Sequence, residues 1–224
     1  RGLQTLGADD SVRVVVLAGR GRSFSAGADL DWMRRAADYD VARNRDEAEA
    51  LARMLRRLAE LPKPTIARVH GAAIGGGLGL VAACDIAIAS DKAVFATSEV
   101  KFGLIPATIG PYVLRAIGPR QAARYFLTAE LIQPAKAYEI GLVHEVVADD
   151  ALDATIDTLV QALAQGGPNA QAESKRLIRD LDGQTIGDAL IADTAARIAG
   201  IRATDEARER LDAFLSARRA KDAR

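Results

Sequence analysis

The chain has 224 residues, 49% apolar and 27% charged, with 30 basic side chains against 30 acidic ones, enough mixed sequence for a globular protein with one sizeable core. A single cysteine, Cys84, excludes an intrachain disulfide and fits a reducing compartment such as the cytoplasm, while two histidines, His70 and His144, are too few for a dedicated transition-metal site. Zero net charge leaves no footprint for nucleic acid, no apolar run is long enough to span a bilayer, and residues 1–10 do not read as a signal peptide.

Residues 2–6 read as the tail of a helix, and a start on Arg1 rather than Met leads us to expect a missing N-terminal segment. Residues 12–18, β-branched and apolar with one interruption at Arg13, predict a buried parallel-type strand closed by Gly19. A glycine-containing loop over 19–27 and a helix over 29–37 follow. Across 41–61 the apolar positions Ala48, Leu51, Ala52, Leu55, Leu58 and Leu61 recur every three or four residues, the mark of an amphipathic helix, which Pro62 and Pro64 stop. Residues 65–69 predict a second strand, 71–77 a glycine-rich loop and 78–84 a buried helix. Short strands are expected at 86–89 and 93–97. Beyond Gly103 helices dominate, at 112–117, 120–127, 135–140, 152–164, 170–181, 186–201 and 205–221, with only 142–147 extended. This order gives an α/β fold: a core over 1–147 and a C-terminal helical layer over 148–224.

The chemistry concentrates in residues 70–79, His-Gly-Ala-Ala-Ile-Gly-Gly-Gly-Leu-Gly, between a strand and a helix. Glycines let the backbone approach a ligand closely, and N–H groups at a helix start suit a developing negative charge. No dinucleotide or phosphate-loop register fits. On the glycines alone, a tight turn packing a helix onto a sheet explains the segment as well. A second small-residue loop, 23–30, follows the first strand, and two such loops at strand ends make a two-donor oxyanion site.

These residues carry a resemblance. Residues 25–29 (Ser-Ala-Gly-Ala-Asp), 63–67 (Lys-Pro-Thr-Ile-Ala), 70–77, 84–89 (Cys-Asp-Ile-Ala-Ile-Ala), 95–99 (Phe-Ala-Thr-Ser-Glu), 103–106 (Gly-Leu-Ile-Pro) and 141–143 (Gly-Leu-Val) come in the order of the crotonase family, the enoyl-CoA hydratases and isomerases, which the chain resembles from residue 12 to about 221. The resemblance implies a spiral core of repeated β-β-α turns, C-terminal helices that drive homotrimer or hexamer contacts, and an acyl-CoA thioester as substrate. No cofactor is implied beyond that coenzyme A. Its oxyanion would be held by the N–H groups of Ala28 and Gly76, with Glu99 as catalytic carboxylate. Ser25, Ala26, Leu30 and Arg218 fall where the family meets coenzyme A.

The family's hydratases carry another glutamate two residues past the glycine triplet, and there this chain has Gly79. With Glu99 alone, one carboxylate can shuttle a proton between carbons, as in an isomerase, or act as both acid and base around one water. Residues 97–107 and 111–118 resemble a methylglutaconyl-CoA hydratase-like branch, which favours a lyase acting on a 2-enoyl- or glutaconyl-type thioester. The alternatives are a Δ3-Δ2 enoyl-CoA isomerase using the same Glu99 and an inert CoA-binding paralogue. Asp29 is expected to cap a helix, Asp85 to hold a turn and His70 to be a hydrogen-bonded structural residue. Glu130 is a candidate substitute for the missing carboxylate. Trp32 and Met33 are expected in the acyl wall or core.

Overall fold

The computed structural model describes residues 2–222. In chain order, α1 (Gly2–Ala8), β1 (Val15–Ala18), α2 (Leu30–Ala36), α3 (Val41–Ala59), β2 (Thr65–Val69), β3 (Ala72–Ile74) and α4 (Gly76–Ala83) make the first half. Then come β4 (Ile86–Ser90), β5 (Val94–Ala96), a 3-10 turn (Glu99–Phe102), α5 (Gly110–Thr128), α6 (Pro134–Glu139) and β6 (Glu145–Val147). The chain closes with α7 (Leu152–Ala164), α8 (Pro168–Leu181), α9 (Asp188–Arg202) and α10 (Asp205–Asp222).

The strands sort into two parallel sheets, one in the order β1-β2-β4-β6 and one pairing β3 with β5. Two passes of the chain, β2-β3 before α4 and β4-β5 before α5, each give a strand to the first sheet and then one to the second, the β-β-α turn expected from the resemblance. The smaller sheet is widened by isolated pairings, Ser25 with Ala73 on one side and Phe95 with Ile132 on the other. β2 and β4 are central and covered on both faces, and they are apolar except at Thr65, Arg68 and Ser90. Their side chains still alternate: Ala67, Val69, Ala87 and Ala89 pack with α3 and α4, while Ile66 and Ile88 meet Leu152 and Ile156 of α7 on the other face. Alanine on the α4 side lets that helix lie close to the sheet.

α3 forms for the reason its spacing suggests. Asp40 caps it by accepting from the Arg43 N–H at 2.8 Å, and Leu55 and Leu58 on its inner face are buried, each worth about 2 kcal/mol of transfer free energy. The first strand is shorter than its apolar run, because Lys63 holds the Val12 carbonyl at 2.7 Å and pairing with β2 starts only at Val15. β3 lies inside the stretch expected to be a loop, and α4 starts at Gly76, two residues early. The helices expected on either side of residues 118–119 are the two arms of α5, broken at Gly118 (φ 71°) before Pro119.

Candidate active site

The glycine stretch is a strand, a tight turn and a helix start in seven residues. β3 pairs with β5 through Ile74, and the Gly75 N–H extends that pairing by donating to the Ala96 carbonyl at 2.9 Å. Gly75 then turns with φ +54° and ψ −119°, a conformation side chains resist, and releases the chain into α4 at Gly76. The Gly76 N–H, at the first position of α4, has no partner among the described residues, and a Cβ built on Gly76 would meet nothing within 4 Å. An unpaired donor backed by a helix dipole and facing open space fits an anionic oxygen.

The second loop is fastened to the first. Ser25 donates its N–H to the Ala72 carbonyl and accepts from the Ile74 N–H, both at 2.9 Å, so its main chain is fully spent in pairing. A Cβ on Gly77 would fall 2.7 Å from the Ser25 Cβ and carbonyl oxygen, so glycine there is what lets α4 and the loop touch. Three residues on, the Ala28 N–H has no partner among the described residues and stands in an exposed stretch. Asp29 ends that stretch as the cap of α2, accepting from the Trp32 N–H at 2.7 Å, as expected. Further upstream the loop is anchored by His70. Arg68 Nη1 donates to His70 Nδ1 at 3.1 Å, which assigns the proton to Nε2, and that N–H donates to the Gly21 carbonyl at 3.0 Å.

Glu99, three residues after the end of β5, approaches the same turn. A Cβ on Gly75 would lie 3.3 Å from Glu99 Oε1. Its other oxygen, Oε2, is sealed from solvent and has no hydrogen-bond partner among the described residues. Burial is the largest influence on this carboxyl and raises its pKa, against a weaker opposite pull from the Glu99 and Ser98 backbone amides. Burial thus biases this carboxyl toward keeping its proton, which suits a group that must both give and take one. Glu99 and Gly76 are thus neighbours across Gly75, and Ser25 ties the Ala28 loop to the same helix start.

The remaining sequence candidates divide. Leu30, 70% exposed, and Ala26 are exposed on either side of Ala28, whereas Ser25 keeps only its hydroxyl for a ligand. Arg218 is exposed near the end of α10. Trp32 binds Glu47 Oε2 through its indole N–H at 2.5 Å, tying α2 to α3, and Asp31 pairs with Arg34. Glu130 is engaged by the Arg124 guanidinium, which holds its carboxyl below the usual range, so it is no free substitute for a missing base. Gly79 is filled in a way the sequence does not announce: a Cβ there would fall 2.2 Å from Ile109 Cγ2.

The other end of α4 is closed. Asp85 Oδ2 accepts from the Thr65 N–H and hydroxyl, each at 2.8 Å, and meets Lys175 of α8 at 2.7 Å. Lys175, 8% exposed, also donates to the Lys63 carbonyl at 3.0 Å. Next to this pair, burial pushes the Cys84 thiol up to about 12, leaving it inert. Cavities of about 240 and 190 Å³ open around Tyr112 and Arg115; Glu99 and Gly76 are in the walls of neither. No cluster of three or more His, Cys, Asp or Glu side chains suited to a metal occurs among the described residues, and none of their helices is long and apolar enough to cross a membrane.

Comparison with known proteins places the chain in a family. The sequence model of the family described as enoyl-CoA hydratase/isomerase matches residues 1–221. The chain is similar to an enoyl-CoA hydratase of known structure from Shewanella pealeana, 44% identical with a TM-score of 0.94, over 96% of this chain and 81% of that one. A second solved enoyl-CoA hydratase, from Mycobacterium smegmatis, is 35% identical with a TM-score of 0.89, over 96% of this chain and 83% of that one. Similarity also extends to the trans-2-decenoyl-acyl-carrier-protein isomerase of Streptococcus mutans, 33% identical over 172 residues, 76% of this chain and 65% of that protein.

Proposed function

The chain belongs to the enoyl-CoA hydratase/isomerase family, and from that premise we propose that it hydrates, and in reverse dehydrates, a 2-enoyl- or glutaconyl-type CoA thioester with Glu99 as the single acid and base. The observation that carries this reading is the Glu99 carboxylate itself, with Oε2 sealed and unpartnered and Oε1 beside the turn that presents the Gly76 N–H. The thioester oxygen sits against the Ala28 and Gly76 amides. Water adds its oxygen to C3 while Glu99 takes the released proton, and the π electrons move onto the thioester oxygen as an enolate. Glu99 then returns the proton to C2, so one water is added and the carboxylate is regenerated. Each preorganised amide is worth about 3 to 4 kcal/mol to that enolate, by analogy with acyl-transfer oxyanion holes.

Written this way the reaction needs no cofactor beyond the substrate's coenzyme A, for which Ser25, Ala26, Leu30 and Arg218 are the proposed contacts. The glutaconyl-type acyl group rests on residues 97–107 and 111–118 and on Gly79. A second reading, transfer of one proton between C4 and C2 by Glu99 in a Δ3-Δ2 isomerase, is favoured by the lone carboxylate and by the isomerase relative. We also propose a homotrimer or hexamer, supported by the exposed apolar side chains of Phe102, Leu104, Ile105, Leu127 and Leu131. Ultraviolet absorbance of the conjugated enoyl thioester tests the reaction. Loss of absorbance with crotonyl-CoA supports hydration, a gain with a 3-enoyl-CoA means isomerisation, and silence in both with tight CoA-thioester binding overturns the enzyme reading.

A further inference from the structure

Gly79 and Ile109 stand where two side chains compete for one space. Gly79 N–H donates to the Gly75 carbonyl at 3.1 Å, so Gly79 lies one helical turn beyond the residue that Glu99 touches. A Cβ on Gly79 would fall 2.2 Å from Ile109 Cγ2 and 2.7 Å from Ile109 Cβ, separations that packed atoms do not reach. Ile109 cannot swing away at little cost. It is 1% exposed within the main core, and its carbonyl accepts from the Val113 N–H at 3.1 Å in the first turn of α5.

We propose that Ile109 is a specificity-determining residue that restricts this site to one carboxylate by filling the place of any side chain at position 79. It rests on the reading of Glu99 as acid and base. With Ile109 in place, position 79 carries no side chain, and no acceptor for a water or a proton is held there, one turn from the residue beside Glu99. Both proton transfers therefore fall to Glu99, and the rate depends on one carboxyl ionisation. A small residue at 109 is the condition for a second carboxylate, so the two positions act as a pair.

The test is a cycle of Gly79→Glu, Ile109→Gly and the double variant, read by unfolding temperature and by the pH dependence of kcat/KM with crotonyl-CoA. Gly79→Glu is expected to lower the unfolding temperature by several degrees, and so is Ile109→Gly, which empties a core position. The double variant is expected to lose clearly less than the sum of the two, and its rate profile to gain a second carboxyl ionisation absent from the parent. Losses that simply add, a Gly79→Glu protein as stable as the parent, or a folded double variant with the parent's single-ionisation profile would each overturn the proposal. Where the glutamate variants do not fold, Gly79→Ala alone and with Ile109→Gly gives the same decision: the alanine must destabilise the parent and be tolerated beside Gly at 109. If the parent hydrates nothing, the functional reading fails, and the temperatures alone still decide whether residue 109 controls residue 79.

Discussion

The two ends of α4 handle polar groups in opposite ways. At its C-terminal end, Asp85 is met by the Thr65 N–H, the Thr65 hydroxyl and Lys175, so a charge taken from water is repaid by three partners. At its N-terminal end, Gly76 keeps an N–H without a protein partner and Glu99 a sealed oxygen without one, the latter costly to leave that way. One end fastens α8 to the sheet, and the other holds binding capacity in reserve for a ligand. Stability and chemistry thus sit on one short helix and are separable.

Breaking each end should therefore give opposite signatures. Glu99→Gln is expected to cut turnover about 10²- to 10⁴-fold, the range for a lost general acid and base, while the unfolding temperature, followed by circular dichroism, does not fall. Lys175→Ala is expected to do the reverse, destabilising the chain by about 3 kcal/mol in urea titration because Asp85 loses its counter-charge, with kcat per folded molecule unchanged. Gly76→Ala sharpens the contrast on the same helix. Its Cβ meets nothing in the protein, so stability should change by less than about 1 kcal/mol, whereas the methyl group beside the donor should raise KM for the thioester.

The smallest effect is the pH dependence of stability. Burial raises the Glu99 carboxyl pKa on folding, so the folded chain keeps that proton to higher pH than the unfolded chain does. The stability tied to this group is complete below the ordinary glutamate pKa of the unfolded chain and declines as pH rises through the higher folded value. Glu99→Gln should remove that decline, and thermal scans of parent and variant across the carboxylate range and just above it should show it. The same displacement should place the acid limb of the parent's activity above that of an ordinary surface glutamate.

Much of the fold was legible because local signals and burial agree. α3 reads to within two residues of its ends because its capping aspartate, apolar spacing and following prolines coincide. β2 and β4 read well because strands covered on both faces are mostly apolar and β-branched or small, here except at Arg68. β3 was hidden, since three residues of Ala, Ala and Ile between glycines carry little strand preference and the pairing partner lies in β5. Ala28, Gly76 and Glu99 could be named from motifs, but the geometry around Gly75 could not, because it depends on a positive φ and on contact with a residue 24 positions away. Ile109 gave no signal at all. An isoleucine at a helix start looks like ordinary core, and its meaning appears only against the missing side chain at Gly79.

Proton delivery by Glu99 is tested most directly by running the hydration of crotonyl-CoA in D2O and reading the product by NMR. The account predicts one deuterium at C2 in the product of the parent enzyme, and formation of that product slowed about 10²-fold or more with folded Glu99→Gln. A Glu99→Gln protein that still forms C2-deuterated product at the parent's rate would contradict it.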